Sequence, residues 1–223
     1  MGCNGVIAES RSTCYGTTAN GRIANACELP PGGTNYSPYS TVARWVGRTW
    51  VHCDVAEVML SAYDALAESH PDKHFVYGET GFRTGGEFKP HKTHRNGLSV
   101  DFMTPVIDTG GKSVPLPTSV TNKYGYAIEF DNTTRYEDLR IDFEAIAAHL
   151  SALKRSAEKH GIGIWRVIFD PELQPYLHKT KAWPEISDMT FSRKRSWVRH
   201  DDHYHVDFAI DCRPLSEWAP EDN

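Results

Sequence analysis

The sequence predicts an α+β fold with a central, largely antiparallel sheet flanked by helices and long loops. Two observations support this class. Two long amphipathic helical segments lie far apart in the chain, and short strand-like segments follow each of them. The resulting order of helix, strand, strand, helix, strand, strand lacks the regular alternation of a parallel α/β sheet. The 223 residues are ample for one sizeable hydrophobic core.

The first 40 residues are rich in Gly, Pro, Ser, Thr and Asn. This composition favours turns and loops. We therefore predict an irregular, Cys- and Gly-rich extension over residues 1–40 and a single domain over residues 41–223.

Two helices are predicted from apolar residues at helical spacing. Residues 54–69 carry such a stripe, Asp54 can cap the start, and Pro71 follows the end. Residues 142–160 carry a second stripe, and Gly161 ends it. Residues 171–179 are predicted to form a short third helix.

Strands are predicted where short apolar or alternating segments occur. These are residues 74–79, 98–103, 162–169, 197–198 and 204–210. A glycine-rich loop occupies residues 81–89, and residues 105–135, with Pro and Gly throughout, form a long excursion.

Composition excludes several functional classes. The formal net charge of -5 disfavours a general nucleic-acid binder, which usually has a basic excess. No apolar run reaches the roughly 18 residues of a membrane span. The start of the chain lacks the basic and apolar regions of a secretory signal.

The cysteines favour an oxidising compartment. Three of the five, Cys3, Cys14 and Cys27, lie in the loop-rich first 27 residues, which is typical of disulfide-stapled segments. The sequence has no C-x2-C pair, so the cysteines do not indicate a zinc site. Proximity in the sequence suggests a disulfide between Cys14 and Cys27. Because the number of cysteines is odd, at least one thiol is expected to stay unpaired.

Five of the 11 histidines lie in two short segments about 100 residues apart. The first segment is PHKTHRNGLSVD, residues 90–101, and contains His91, His94 and Asp101. The second is HDDHYHVD, residues 200–207, and contains His200, His203 and His205. Only the fold can bring the two segments together.

These residue types point to a metal site. On a strand, His203 and His205 share one face. Asp101 interrupts an apolar run, where an unpaired carboxylate would be costly. Two imidazoles and one carboxylate around zinc leave a fourth position for water, as in catalytic sites. Spacing leaves open which of His203 and His205 binds the metal and which is free for chemistry.

The two segments together resemble those of the penicillin-insensitive murein endopeptidases. PHKTHRNGLSVDF is similar to their P-H-x-S-H-x-x-G-x-x-V-D signature, and RHDDHYHVDF to their G-H-D-x-H-F-H-V segment. The broader group includes lysostaphin-type peptidases and D-Ala-D-Ala carboxypeptidases. The chain departs from the pattern at Thr93, where Ser is usual, and at Arg199, where Gly is usual.

The resemblance implies a role for each site residue. His94, Asp101 and His205 would be ligands of one Zn²⁺ per chain, and His203 the catalytic histidine. His91 and His200 would be further active-site histidines, and we place Asp202 with them as a substrate-contacting or supporting group. Residues 41–223 would be a zinc peptidase domain.

The resemblance also implies the reaction and its location. The chain would hydrolyse the D-alanyl–meso-diaminopimelyl cross-link between peptidoglycan stem peptides, in the periplasm or outside the cell. The alternatives are a D,D-carboxypeptidase that releases terminal D-Ala and a non-catalytic, zinc-containing peptidoglycan-binding module. A metallo-β-lactamase-like hydrolase matches H-x-H-x-D at residues 203–207 but lacks the His expected at position 208, which is Phe.

Overall fold

The computed structural model describes residues 12–196 and 198–220 and has the predicted α+β architecture. The strands are β1 Thr13–Thr17, β2 Asn20–Ala24, β3 Cys27–Glu28, β4 Tyr36–Pro38, β5 Trp50–Val51, β6 Phe75–Tyr77, β7 Ser99–Met103, β8 Val106–Ile107, β9 Ser113–Val114, β10 Arg135–Tyr136, β11 Leu139–Ile141, β12 Gly163–Ile168 and β13 His203–Ala209. The helices are α1 Thr41–Trp45, α2 Cys53–Ser69, α3 Phe143–Lys159, α4 Gln174–Leu177 and α5 Trp183–Ile186, with 3₁₀ turns at Val120–Gly125 and Leu215–Glu217.

The main sheet has five strands in the order β12-β13-β7-β6-β4. Every neighbouring pair is antiparallel except β4 and β6, which are parallel. The prediction of a largely antiparallel sheet is therefore confirmed. The neighbouring strands β7 and β13 carry Asp101, His203 and His205, and the other histidines of the two segments lie in the loops that precede these strands.

Helices α2 and α3 begin and end close to their predicted positions. Asp142 caps α3 by accepting a hydrogen bond from the Ala145 amide at 3.0 Å, and Gly161 follows the helix with φ 72°. The apolar stripes of both helices are buried in the core. Among the helices of the described residues, none is both long and apolar enough to be a membrane span.

The two faces of the main sheet have different roles. Since side chains alternate along a strand, Phe102 and Tyr204 face α3, where the His149 ring lies 4.6 Å from that of Phe102. Asp101 and His205 point to the opposite face. One side of β7 and β13 thus belongs to the core, and the other is available for a polar site.

Two predictions of local structure are wrong. Residues 13–38 are not irregular, because they form strands β1 to β4, and β4 joins the main sheet. Val198 is not in a strand, and Trp197 lies outside the described residues.

The excursion over residues 105–135 contains β8, β9 and the first residue of β10, and these strands form a second sheet with β11. The proposed domain boundary at residue 40 stays a prediction.

The described residues form two disulfides, but the predicted Cys14–Cys27 pairing is wrong. Cys14 pairs with Cys212, and Cys27 pairs with Cys53. Strand contacts explain the difference, because the chain around Cys14 hydrogen-bonds to Arg213 and β3 pairs with β5, which ends just before Cys53. Cys3 lies outside the described residues. Disulfides of this kind are typical of proteins in an oxidising compartment.

Candidate active site and metal centre

The site is built on the polar face of β7 and β13. Their antiparallel register places His205 opposite Asp101 and Asp207 opposite Ser99. Directly opposed residues share a face of the sheet. The fold therefore brings together the two histidine segments, which are about 100 residues apart in sequence.

The Asp101 carboxylate is the centre of the cluster and is fully buried. Its Oδ1 lies 2.8 Å from His205 Nδ1 and 3.2 Å from His94 Nε2. Its Oδ2 accepts a hydrogen bond from the Tyr126 hydroxyl at 3.0 Å. Burial opposes ionisation, but the surrounding histidines hold the pKa of Asp101 well below its usual range. The centre of the site is thus a buried, ionised carboxylate.

His94 presents one ring nitrogen that has no hydrogen-bond partner. Its Nδ1 lies 3.0 Å from the Thr80 carbonyl, which can only accept, so Nδ1 carries the proton. Burial lowers the pKa of His94, so the ring is neutral and Nε2 has a lone pair. Within the described residues, Nε2 is buried and makes no hydrogen bond. Two electron-rich atoms, His94 Nε2 and Asp101 Oδ1, therefore face each other, an arrangement that a bound cation stabilises.

The backbone turn between His94 and Asp101 requires glycine. Gly97 has φ 78°, a conformation that L side chains rarely adopt. A Cβ at this position would lie 2.5 Å from Ile23 Cδ1 and 2.8 Å from the His52 nitrogen. The chain turns sharply at Gly97, and this turn returns it from His94 to β7.

His205 is oriented by a second carboxylate. Its Nε2 lies 2.8 Å from Asp207 Oδ1, and Asp207 in turn accepts from Ser99 Oγ at 2.5 Å and Arg166 Nε at 2.6 Å. Burial opposes protonation of His205, but Asp207 and Asp101 raise its pKa to about 10. With Nε2 bonded to Asp207, Nδ1 faces Asp101. A carboxylate–histidine pair of this kind is the usual support of a histidine that binds metal.

His203 shares the face of His205 and reaches the other side of Asp101. Its Nδ1 lies 2.9 Å from Asp202 Oδ1, and its Nε2 lies 3.8 Å from Asp101 Oδ2. Burial opposes protonation, but Asp202 and Asp101 raise the pKa of His203. The ring of His200 lies 4.6 Å from that of His203, and burial lowers the pKa of His200 to about 4. His203 is thus a carboxylate-supported imidazole beside the cluster.

His91 enters the site from the loop before β7. Its Nδ1 lies 3.9 Å from Asp101 Oδ2, and its Nε2 lies 2.5 Å from Glu79 Oε2. Glu79 also accepts from the Tyr39 hydroxyl at 2.8 Å and from Arg48. Burial opposes ionisation of Glu79, but His91 and Arg48 lower its pKa to about 2. An ionised Glu79 therefore fixes the orientation of His91.

Seven residues predicted from sequence thus meet at one place. They are His91, His94, Asp101, His200, Asp202, His203 and His205. Within the described residues, the group whose ligand atoms all lie within 4.8 Å of one another is His91, His94 and Asp101. This group shares two members with the predicted ligand set, which has His205 in place of His91.

A cavity of about 550 Å³ opens onto the site. Its lining includes His91, His203 and Tyr126 together with the apolar side chains of Ile128 and Val198. Asp101, His94 and His205 are not part of the lining. A substrate in the cavity would therefore contact His91, His203 and Tyr126 rather than the more deeply buried cluster.

Sequence reasoning missed four residues that complete the site, namely Arg48, Glu79, Tyr126 and Asp207. Glu79 was placed only at the end of a predicted strand, and Tyr126 lies in a loop without periodicity. Asp207 had a signal, since it is the last residue of the H-x-H-x-D pattern. That pattern was weighed only as evidence for a metallo-β-lactamase-like site.

Comparison with known families decides the family. The family model of the penicillin-insensitive murein endopeptidases matches residues 14–218. The chain belongs to this family. As a member of the murein endopeptidase family it is a peptidase that acts on peptidoglycan, and the predicted resemblance is confirmed. The match begins at residue 14, the second residue of β1, and so includes strands β2 to β4 and nearly all of β1. A search of curated proteins finds no match to this murein endopeptidase.

Proposed function

We propose that the chain is a zinc-dependent D,D-endopeptidase that hydrolyses the D-alanyl–meso-diaminopimelyl cross-link of peptidoglycan. The observation that carries the metal requirement is the unpartnered, buried Nε2 of His94 facing the Asp101 carboxylate. The family supports murein as the substrate. The specific bond follows from the resemblance of the two histidine segments.

The residues fit one zinc ion. His94 Nε2, an oxygen of Asp101 and His205 Nδ1 would hold it, a two-nitrogen, one-oxygen set typical of catalytic zinc. Zinc bound there would supply a Lewis acid for the scissile carbonyl and lower the pKa of water. Thr80 and Asp207 would keep the two imidazoles in the required tautomers.

His203 is the proposed catalytic histidine. Asp202 binds its Nδ1, so its Nε2 is directed toward the centre of the site, where it would take a proton from the attacking water and return it to the leaving nitrogen. His91, held by Glu79 through Nε2, lines the cavity, where it would help to position the scissile peptide beside His203. His200 would support His203 by ring contact.

The proposed compartment is the periplasm or the cell exterior. Two disulfides indicate an oxidising environment, and peptidoglycan lies in the same place. The proposed partner is therefore the stem peptide of the cell wall, with no nucleic acid or membrane insertion.

The positioning role of Asp207 can be tested through metal affinity. Because Asp207 orients His205, Asp207→Asn is expected to weaken zinc binding by about 10- to 100-fold, measured by competition with a chromogenic chelator. Asp142→Asn is the matched control, since Asp142 is also a buried carboxylate but pairs with Lys73. If both variants lose stability and neither loses zinc affinity, Asp207 is structural only.

Product analysis tests the proposed reaction. Purified peptidoglycan is digested with the zinc-loaded protein, and the fragments are analysed by mass. An endopeptidase converts cross-linked dimers into monomers with uptake of one water per bond. Release of free alanine from monomers would instead identify a D,D-carboxypeptidase, and unchanged fragments would identify a non-catalytic binding module.

A further inference from the structure

The cavity beside the site carries cationic side chains that the proposed reaction has not yet used. Lys123, Arg195 and Arg199 all contribute to its lining. They come from two chain segments that are not neighbours in sequence, the 3₁₀ turn Val120–Gly125 and the loop before His200. Both segments face the cavity that contains His91 and His203.

Arg199 already forms ion pairs and a hydrogen bond within the protein. Its Nε lies 2.8 Å from Asp170 Oδ2, and its Nη1 lies 3.3 Å from Asp201 Oδ2. The same Nη1 donates to the Phe130 carbonyl at 2.6 Å. Arg199, which stands where the family pattern has Gly, therefore braces the loop that carries His200.

Arg48, which binds the cavity-lining Glu79, also has its partners within the protein. It forms two hydrogen bonds with Glu79 and one with the Lys89 carbonyl, and its guanidinium lies 4.0 Å above the Phe88 ring. Its charge is neutralised by Glu79, so it has little capacity left for an anionic ligand.

Lys123 and Arg195 have no such partners in the part of the chain that the structure describes. Within residues 12–196 and 198–220, neither forms an ion pair or a side-chain hydrogen bond, and both are exposed. Lys123 and its neighbour Tyr124 have φ of 52° and 58°, a left-handed conformation that costs free energy in residues other than Gly. Asn122 holds the turn by accepting from the Ser119 and Gly125 amides.

The proposed substrate has one anionic group close to the reaction. In a D-alanyl–meso-diaminopimelyl cross-link, the carbon attached to the scissile nitrogen also carries a free carboxylate. When the scissile bond lies at His91 and His203 with its leaving-group side toward the cavity, this carboxylate would lie among the side chains that line the cavity. A charge taken out of water there needs a cationic partner.

We propose that Lys123 and Arg195 bind the carboxylate on the leaving-group side of the scissile bond and so determine substrate specificity. The three-methylene arm of the diaminopimelyl residue would lie along the apolar wall at Ile128 and Val198. The inference rests on the proposed function and adds to it the group that the cavity recognises.

A pair of defined substrates tests the inference. One is a disaccharide-peptide dimer with the free carboxylate, and the other is the same dimer with that carboxylate converted to a carboxamide. The wild-type protein is expected to cleave the first with a kcat/KM about 3- to 30-fold higher, the range of two exposed charge pairs. Lys123→Ala and Arg195→Ala are each expected to lose a large part of this preference, because they slow cleavage of the carboxylate dimer much more than cleavage of the carboxamide dimer.

The carboxamide dimer also reports whether each variant is folded and active. Lys123→Arg and Arg195→Lys should retain part of the preference. Glu129→Gln is the matched control, because it removes another exposed charge from the same cavity lining, and it should leave the preference intact. Equal cleavage of both dimers by the wild type, or equal losses on both dimers in the variants, would overturn the inference but leave the proposed function standing. Failure to cleave either dimer would instead overturn the proposed function.

Discussion

The His203→Ala variant is expected to bind zinc as the wild type does and to cleave cross-linked dimers about 10²- to 10⁴-fold more slowly. The magnitude is that of removing a general acid–base group. Zinc binding should survive because His203 Nε2 lies 3.8 Å from the nearer Asp101 oxygen, whereas His205 Nδ1 lies 2.8 Å from that carboxylate. The measurements are zinc content by elemental analysis and steady-state kinetics on a defined dimer.

His178→Ala is the control for His203→Ala. His178 is exposed and packs on Trp183, with ring centroids 4.1 Å apart, and it is not among the residues that line the cavity. This variant should retain full activity. A His203→Ala protein that cleaves dimers at the wild-type rate would show that the catalytic role is assigned to the wrong histidine.

His205→Ala and Asp101→Asn are expected to lose both zinc and activity. Each change removes a proposed ligand, and the loss of zinc affinity should exceed the roughly 100-fold that is typical of losing a supporting residue. Gel filtration followed by zinc analysis gives the stoichiometry, and chelator competition gives the affinity. Circular dichroism checks that the variants remain folded, because Asp101 and His205 are buried.

His91→Ala separates the two ligand sets that contain His94 and Asp101. When His205 is the third ligand, His91→Ala keeps one zinc per chain and loses activity only. When His91 is the third ligand, as the cluster of His91, His94 and Asp101 would allow, His91→Ala loses zinc and His205→Ala keeps it. The two variants therefore give opposite results under the two assignments.

Local sequence patterns predicted the elements that depend on local chemistry. Helices α2 and α3 were predicted to within one residue at each end, because their apolar stripes and caps lie within one segment. The neighbourhood of Asp101 and His205 was also predictable, since an isolated carboxylate in an apolar strand needs partners. The resemblance to the murein endopeptidases then supplied the distinction between His203 and His205.

Features that depend on distant contacts were beyond the sequence patterns. The Cys14–Cys212 bond depends on the last segment returning to β1, and nothing near Cys14 indicates this. Glu79 acts through Arg48 and His91, and Tyr126 reaches Asp101 from a loop. Strands β1 to β4 are short and largely polar, so their composition predicted loops. The pairing with other strands that stabilises them produces no periodic pattern in the sequence.

Titration of the metal-free protein with zinc tests the central claim most directly. The protein is stripped with a chelator, zinc is added in steps from zero to two equivalents, and cleavage of a dimer cross-linked by D-alanyl–meso-diaminopimelate is followed by mass analysis. The rate is expected to rise from near zero, to reach its maximum at one equivalent, and to yield monomers as the only products. A metal-free protein that cleaves the dimer at the full rate, or a zinc-loaded protein that leaves it intact, would contradict the claim.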